Sequence, residues 1–441
     1  MKGGFVGRLL WIMPLLSGLV LPSVADAWGR GHKLIRTWAV DHLPEWQCKA
    51  IGPKHIKALC NNYSSLQDAF AGGKSPHLAP YCTIPNVRVS LHDVNAVSPS
   101  VQGMQWYLHC IRREWQAGRH DEAMKFLGVL CHWHEDPGCP SAHSSPVSEP
   151  VLRQLIPPPP DKQNLNYLFG YGGIADVGDY SIPEQKYQPK LLGATIPEAA
   201  ARLYQQQRIL QRHATAHIIP LVQDMMYGDG KKAKQERSKA ALRNAKHTAD
   251  VIYTTMCLAT GKVDETEAAN LKTQSLTDWL PDPTPQRLIP HPYYVVPYLV
   301  DRSMDAKRKL HPLAFPESGP DAAVSGGFGT GTPFSLNYSI APGGVFDTFT
   351  CRVGLHPTAG PKGKVRFVVS ANGKPLFTSP TILSGSKPVK VRVTLPKTSV
   401  VKLTLSTVAV EMSVPSHNLA VWAEPMLHRA ETVTAYQPPK Q

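Results

Sequence analysis

Residues 125–143 read KFLGVLCHWHEDPGCPSAH, an apolar run that ends in imidazole and carboxylate side chains. His132 and Asp136 are four residues apart, so on a helix both side chains project from one face, about one turn from each other. An imidazole nitrogen and a carboxylate oxygen at that separation suit zinc or a similar ion. The proline and glycine residues that follow end the helix and return His143 towards the same region. The alternative is a helix C-terminus whose polar residues simply continue into a loop.

The N-terminus has the features of a secretory signal. A basic start is followed by an apolar run over residues 9–21 and by a small-residue end, Ala-Asp-Ala27. This apolar run is too short for a helix that crosses a membrane. We therefore predict a signal peptide over residues 1–27, a mature chain that begins at Trp28, and a secreted, periplasmic or cell-surface location.

The net charge of +14 raises the local attraction for anionic substrates, whether phospholipid surfaces or nucleic acid. An equally good interpretation is that this charge only keeps the protein soluble. The chain has eight cysteines, all after residue 27, which suits an oxidising compartment. Bridges between Cys48 and Cys60, or between Cys82 and Cys110, are plausible, but a sequence does not fix the pairing. Cys351 lies in a strand-like run, and we expect it to be a buried free thiol.

Further candidate metal ligands lie upstream of His132. A mature Trp28 has a free α-amino group that, with its own carbonyl, can chelate one ion, and His32 is close enough to join. Apolar residues at three- and four-residue steps predict a helix over residues 32–43; the alternative for His32 is a helix-start residue that faces solvent. Asp68 ends a turn-rich loop, and His92 lies beside a turn rather than on a core face.

The remaining pattern divides the chain. Helices are predicted over residues 197–227 and 231–258, and two more over 101–130 with a break at Gly118. From residue 319 the composition shifts, and runs such as 364–370 and 389–395 alternate apolar with polar residues. The intervening segments 371–374 and 384–387 read as hairpin turns, which indicates an antiparallel β-sandwich. Neither a phosphate-binding P-loop, a dinucleotide fingerprint nor a Gly-x-Ser-x-Gly motif occurs in the sequence.

Taken together, these residues resemble the secreted zinc-dependent phospholipase C family, which shares its fold with the fungal single-strand-specific zinc nucleases. The resemblance covers about residues 28–258. Three motifs carry it: Trp28-Gly-Arg-Gly-His32-Lys-Leu-Ile, the segment Leu-His92-Asp-Val-Asn, and His132-x3-Asp136 followed by His143.

The resemblance implies a set of metal ligands. One ion is implied at Asp68, His92, His132 and Asp136, and a second at Trp28, His32 and Asp136, so that Asp136 bridges the two. His143 anchors a third. Family members continue with a His-x3-Glu or His-x3-Asp pair, whereas residues 144–212 contain no histidine. Glu149 is the substitute we predict, with His213 and His217 as less favoured alternatives that we otherwise read as structural.

The C-terminal part, about residues 335–430, resembles the carbohydrate-binding module known as NPCBM. The matching segments are residues 344–354, 364–369, 372–379 and 416–422. The resemblance implies a galactose-binding-like jelly roll, in which we expect Trp422 to belong to the core rather than to a sugar platform. The predicted fold is thus multi-domain: an all-α, zinc phospholipase C-like helical domain over residues 28–260, a linker over 261–330, and an all-β jelly-roll sandwich over 331–432.

The predicted function is a secreted zinc-dependent phosphodiesterase with two or three zinc ions. Asp68 is the candidate to orient or deprotonate the attacking water. The substrate expected is a phospholipid or a related phosphodiester, and the alternatives are a single-strand-specific nuclease or a catalytically weak glycan-binding surface protein. Other expected interactions are a glycan at the C-terminal module and peripheral contact with a membrane, without a transmembrane helix after signal cleavage.

Overall fold

A computed structural model describes most of the chain. The described residues are 28–29, 31–73, 75–87, 94–141, 143–168, 180–282, 298–305, 307–316, 324 and 326–439. The predicted signal peptide, residues 1–27, and the predicted ligand His92 lie outside them.

The described residues contain eleven α-helices, all before residue 271. They are α1 (Gly31–Asp41), α2 (Glu45–Ile51), α3 (Pro53–Asn61), α4 (Leu66–Ala71), α5 (Ala79–Cys82), α6 (Val97–Gln116), α7 (His120–Glu135), α8 (Glu149–Leu155), α9 (Ile196–Tyr227), α10 (Lys231–Thr260) and α11 (Glu265–Asn270). Helices α1, α6, α7, α9 and α10 begin and end close to the residues that the apolar periodicity indicates. None of the helices in the described ranges is both long and apolar enough to cross a lipid bilayer.

Local sequence explains several helix boundaries. Gly118 separates α6 from α7 with a φ of 73°, a conformation that favours glycine. Thr195 caps helix α9: its hydroxyl accepts a hydrogen bond from the Glu198 N–H, and the Glu198 carboxylate accepts one from the N–H of Ala194, the residue before the cap. These bonds satisfy two backbone N–H groups at the start of α9, which helps to fix where the helix begins.

Helices α9 and α10 fold back on each other and support the end of α7. The side chain of His217 lies 2.5 Å from that of Glu236, and the Asp224 carboxylate accepts a hydrogen bond from the Ala233 N–H near the turn. Their apolar faces join α6 and α7 in one core that includes Leu127, which is fully buried. This core fixes the C-terminal end of α7, where His132 and Asp136 lie.

The rest of the described chain is mainly β-structure. The strands are β1 (Thr273–Ser275), β2 (Tyr298–Val300), β3 (Arg302–Met304), β4 (Leu310–Pro312), β5 (Gly327–Thr330), β6 (Phe334–Ile340), β7 (Phe346–Leu355), β8 (Lys364–Ala371), β9 (Lys374–Thr378), β10 (Ile382–Leu383), β11 (Val389–Thr394), β12 (Val401–Ala409) and β13 (Ala420–Arg429). One antiparallel sheet has the order β11-β7-β13-β5-β2, with β1 also on β13, and the second has the order β10-β8-β12-β6, with β9 on β8. The predicted combination of a helical domain and a β-sandwich is therefore confirmed.

Side chains from both sheets fill the sandwich. Trp422 is 1% exposed, lies edge-to-face on Phe367 and donates its indole N–H to the Thr407 hydroxyl. The prediction that Trp422 belongs to the core is confirmed. A register shift after Ala423 lets the single strand β13 pair first with β5 and then with β1.

The two predicted hairpin turns have different outcomes. Asn372 and Gly373 both have positive φ and join β8 to β9, as a two-residue hairpin turn requires. The turn at 384–387 joins β10, which pairs with β8, to β11, which pairs with β7. It therefore crosses between the sheets, and the hairpin prediction there was wrong, because turn residues mark a reversal but do not say which strands pair.

The segment predicted as a linker, residues 261–330, contains α11 and β1–β5 in its described parts. Strand β1 follows α11 directly and adds to the sandwich. Across this junction Arg202 of α9 donates to the Leu271 carbonyl, and Arg429 of β13 lies 3.3 Å from the buried carboxylate of Glu198. Helical and β regions are thus joined by polar contacts to α9.

All eight cysteines lie in the described residues and are free thiols. The suggested bridges Cys48–Cys60 and Cys82–Cys110 are therefore not formed. Cys351 is 5% exposed in β7, in agreement with its prediction as a buried free thiol, and burial raises its pKa well above the ordinary value.

Candidate metal centre

The end of α7 and the start of α1 meet at a cluster of three buried side chains. His32, His132 and Asp136 each present one ligand atom, and these atoms lie within 4.8 Å of one another. The two imidazole rings stack with centroids 4.4 Å apart. The carboxylate of Asp136 contacts both rings: Oδ1 is 3.3 Å from Nε2 of His32, and Oδ2 is 3.2 Å from Nε2 of His132. A carboxylate with one oxygen towards each histidine can bridge two ions.

Asp68 completes the cluster from α4. Its Oδ1 lies 3.3 Å from Nε2 of His132. The side chain of Asp68 is 23% exposed, whereas those of His132 and Asp136 are 1% and 3% exposed. Solvent, or a substrate in solvent, therefore reaches this cluster at Asp68.

The distances within the cluster fit a zinc ion. Two ligands that are each about 2.0–2.1 Å from a tetrahedral ion lie about 3.3 Å from each other. The three nitrogen–oxygen distances, 3.3 Å, 3.3 Å and 3.2 Å, are close to that value. They are longer than the usual hydrogen bond of about 2.9–3.0 Å between nitrogen and oxygen. The donor set of imidazole nitrogen and carboxylate oxygen is also one that zinc prefers.

A second contact to each histidine orients its ring. Nδ1 of His32 lies 2.6 Å from Oε2 of Glu135, and Nδ1 of His132 lies 3.0 Å from the carbonyl oxygen of Ser64. Both partners accept hydrogen bonds, so each Nδ1 carries a proton and donates. A histidine in this tautomer has its lone pair on Nε2. Both Nε2 atoms face Asp136, which is the arrangement that metal ligation requires.

The electrostatics of the cluster favour positive charge. Burial alone lowers the pKa of His132, but the carboxylates of Asp136 and Asp68 outweigh it and raise this pKa well above the ordinary value. Burial alone raises the pKa of Asp68, but His132 outweighs it and holds this pKa below its usual range. A cation between these groups is therefore stabilised, whether it is a proton on His132 or a metal ion that displaces the proton.

Trp28 lies beside this cluster. Its indole N–H donates to the carbonyl of Glu135 over 2.8 Å, and its ring packs against Tyr180. Its own carbonyl accepts a hydrogen bond from the Gly31 N–H. The side chain thus holds residue 28 next to Asp136. The predicted ligation by the amino group and carbonyl of Trp28 stays a prediction.

His143 and Glu149, the predicted ligands of a third ion, do not join His32, His132 and Asp136 in the group of ligand atoms within 4.8 Å. Glu149 forms an ion pair with Arg153 one turn along α8, at 2.8 Å. The backbone carbonyl of His143 accepts a hydrogen bond from Gln211 of α9. His213 and His217, the less favoured alternatives, stack edge-to-face, and His217 pairs with Glu236. These contacts place Glu149 and His217 in ion pairs outside the cluster.

Sequence reasoning missed two residues that hold the cluster, Glu135 and Arg36. Both are fully buried, and Nε of Arg36 lies 2.8 Å from Oε1 of Glu135. Arg36 follows His32 by four residues on α1, and Glu135 follows His132 by three on α7. This helical spacing was the available signal, because residues three or four apart share a face.

A second buried imidazole pair lies close by but belongs to the helix core. Nε2 of His247 lies 3.0 Å from Nδ1 of His134, and both side chains are buried. Burial lowers the pKa of His134 to about 3, so its imidazole is neutral at physiological pH. His134 therefore serves as an internal comparison for His132, which is two residues away on the same helix.

Comparison with known proteins identifies the C-terminal module. A family model described as the NPCBM/NEW2 domain matches residues 296–428, which confirms the resemblance of this part to the NPCBM module. No curated protein matches the sequence.

Several solved structures are similar to this chain. One is the M60 catalytic domain with CBM51-1 and CBM51-2 of Clostridium perfringens ZmpB, at 16% identity and a TM-score of 0.27, where the similar region covers 36% of this chain and 15% of that chain. A second is CBM51 from Clostridium perfringens GH95, in complex with methyl-galactose, at 13% identity and a TM-score of 0.26. The similar region covers 35% of this chain and 99% of that chain. The alpha toxin from Clostridium absonum is 10% identical with a TM-score of 0.30, over 91% of this chain and 95% of that chain.

Proposed function

We propose that this chain is a secreted zinc-dependent phosphodiesterase, and that it hydrolyses a phospholipid or a related phosphodiester. The observation that carries the proposal is the contact of Asp136 with both His32 and His132, at distances that suit zinc ligands. The motifs shared with the zinc-dependent phospholipase C family support the same reaction class.

In this proposal the ligands divide between two zinc ions. Asp68, His132 and Asp136, together with the predicted ligand His92, hold one ion. His32 and Asp136, together with the amino group and carbonyl of Trp28, hold the other. When bound, zinc supplies a Lewis acid that polarises phosphoryl oxygens and acidifies water.

The residues of the chain then have separate roles. Glu135 and the Ser64 carbonyl hold His32 and His132 with Nε2 directed at Asp136. Asp68 is the solvent-accessible carboxylate of the cluster, and we propose that it orients the attacking water and accepts its proton. The surrounding core excludes bulk water from the other ligands.

A second candidate function is glycan binding with weak or no catalysis. The observation that favours it is the match of residues 296–428 to the NPCBM/NEW2 family model, since the resemblance to that module implies carbohydrate binding. Glycan binding alone is compatible with the first candidate, because a glycan-binding module can hold an enzyme at a cell surface; the two candidates differ in whether the helical domain hydrolyses a phosphodiester.

The test is hydrolysis by the purified full-length chain after metal removal and after re-addition of zinc. Phosphatidylcholine vesicles, single-stranded DNA and a chromogenic phosphodiester are assayed in parallel, with zinc content measured on the same samples. We expect hydrolysis of phosphatidylcholine that is lost with chelator and regained with zinc. Hydrolysis of DNA alone favours a nuclease. Zinc binding without any hydrolysis favours the glycan-binding candidate, and activity that survives complete metal removal contradicts the proposal.

A further inference from the structure

Glu135 is a buried carboxylate that contacts the candidate metal centre without belonging to its ligands. It directly precedes Asp136, and its side chain is fully buried. Oε2 lies 2.6 Å from Nδ1 of His32, and this is shorter than the corresponding 3.0 Å contact of His132 with the Ser64 carbonyl. The two histidines thus differ, because Nδ1 of His32 contacts a carboxylate, whereas Nδ1 of His132 contacts a neutral backbone carbonyl.

Arg36 holds Glu135 in place. Its Nε and Nη2 donate to the two oxygens of Glu135, at 2.8 Å and 3.1 Å. Its remaining donors reach the carbonyls of Leu59 and Gly128, at 3.2 Å and 2.7 Å. A guanidinium that donates to α3, to α7 and to Glu135 has little freedom to rotate. The carboxylate of Glu135 is therefore fixed in position and compensated in charge.

This geometry has a chemical consequence for His32. A carboxylate that accepts the Nδ1 proton fixes the tautomer and ring orientation of a ligating histidine and raises the basicity of Nε2. Nε2 of His32 is directed at Oδ1 of Asp136, 3.3 Å away. Hydrogen bonds thus connect Arg36 to Glu135 and Glu135 to His32, and all three side chains are buried.

We propose that Glu135, fixed by Arg36, is a positioning residue that sets the orientation of His32 and thereby the affinity of the zinc ion that His32 holds. This inference rests on the proposed function, since it assumes that zinc is the ion. Replacement of a residue that accepts a hydrogen bond from a metal-ligating histidine typically lowers metal affinity by about 10–100-fold. Glu135 does not contact substrate in this proposal, so its effect is on metal affinity rather than on the chemical step.

The test is zinc titration of the full-length chain against a chromophoric chelator. We expect Glu135→Gln to weaken the binding of one ion by about 10–100-fold, with the other ion little changed. Glu135→Asp, which keeps the charge, should restore part of this affinity. The matched control is Glu114→Gln, because Glu114 is also a buried glutamate that pairs with arginines, Arg113 and Arg119, but on α6. The Glu114→Gln substitution should leave zinc affinity unchanged.

Two further measurements cover a failure of Glu135→Gln to fold. The double variant Arg36→Met with Glu135→Gln removes both buried charges, which proteins often tolerate, and should show the same loss of zinc affinity. In the unmodified, zinc-loaded chain, nitrogen NMR of labelled histidine should show His32 with its proton on Nδ1.

The outcomes separate this inference from the proposed function. A wild-type chain that binds no zinc overturns both. A wild-type chain that binds zinc, together with folded Glu135 variants of equal zinc affinity, overturns the role of Glu135 and leaves the proposed function standing. A proton on Nε2 of His32 in the zinc-loaded chain also overturns it.

Discussion

Nε2 of His32 lies 3.3 Å from Oδ1 of Asp136, although the two residues are 104 positions apart in the sequence. The contact joins the first helix of the described chain to the end of α7. Neither residue can reach the other unless the start of α1 lies close to the end of α7, so the candidate metal centre forms only in the folded chain. We therefore expect a measurement of zinc binding to report on the tertiary structure as well as on the site.

Replacement of His132 should remove zinc from the cluster. Because His132 contacts both Asp68 and Asp136, we expect His132→Ala to lower zinc affinity by at least about 100-fold and to abolish phosphodiester hydrolysis. The measurements are zinc content after gel filtration and activity on phosphatidylcholine. His134→Gln is the control, since His134 is buried on the same helix and pairs with His247. Equal zinc loss in both variants contradicts a specific role for His132.

Replacement of Asp68 should lower the turnover number more strongly than it lowers the zinc content. An asparagine at this position keeps one oxygen for ligation but cannot accept a proton at neutral pH, so we expect Asp68→Asn to lower kcat by about 10²–10⁴-fold. Steady-state kinetics of the zinc-saturated variant give this value. Glu45→Gln, an exposed carboxylate that pairs with Lys49, is the control. A kcat close to that of the wild type rules out the proposed role of Asp68.

Glu149 provides a test of the predicted third ion. Its carboxylate is 2.8 Å from Arg153 on α8, so we expect Glu149→Gln to leave the number of bound zinc ions unchanged. Loss of a partly exposed ion pair of this kind costs about 0–1 kcal/mol in the free energy of unfolding. Metal analysis and thermal unfolding measure the two effects. Loss of one zinc ion in the variant shows instead that Glu149 is a ligand, as the sequence predicted.

The buried carboxyl of Asp250 should make stability depend on pH. Burial raises its pKa to about 7, although its oxygens accept hydrogen bonds from Tyr187 and from the Lys190 N–H. Because this pKa is higher in the folded than in the unfolded chain, the folded state binds the extra proton. The stabilising contribution is complete below about pH 4 and is lost as the pH rises through about 7.

The change that tests this is Asp250→Asn. We expect the stability of the variant, relative to the wild type, to increase between pH 5 and pH 8 by on the order of a few kcal/mol. Denaturant unfolding at both values, with chelator present in all samples, measures this difference. A relative stability that stays constant with pH contradicts the raised pKa.

Trp422 should contribute to the stability of the β-sandwich. Its side chain is 1% exposed and lies between the sheets, in contact with Phe367, so we expect Trp422→Ala to lower the free energy of unfolding by about 3–5 kcal/mol. Thermal and denaturant unfolding of the full-length chain measure the loss. Met412→Ala is the control, because Met412 is 78% exposed in the same region. If the Trp422 variant keeps wild-type stability but loses glycan binding, the core assignment fails.

The sequence by itself determined the features that depend on neighbouring residues. Helical periodicity fixed α1, α7, α9 and α10, because apolar residues at three- and four-residue steps form one face that must be buried. It also placed His132 and Asp136 on the same side of the chain at the end of α7, since four residues make about one helical turn and Asp136 directly follows the helix. Alternation of apolar and polar residues located β8 and β11 in the same way, because successive side chains of a strand point to opposite faces.

Tertiary structure decided the contacts between distant parts of the chain. Spacing gives no information on whether Glu135 meets Arg36 or Asp136 meets His32, because these contacts depend on where the fold places α1 relative to the end of α7. The acceptor of His132 is the backbone carbonyl of Ser64, and every residue has a carbonyl, so no residue type marks it. The turn at 384–387 likewise crosses between sheets because strand pairing is a long-range property. The sequence thus identified ligand types and their local order, and packing alone set the distances that make them a site.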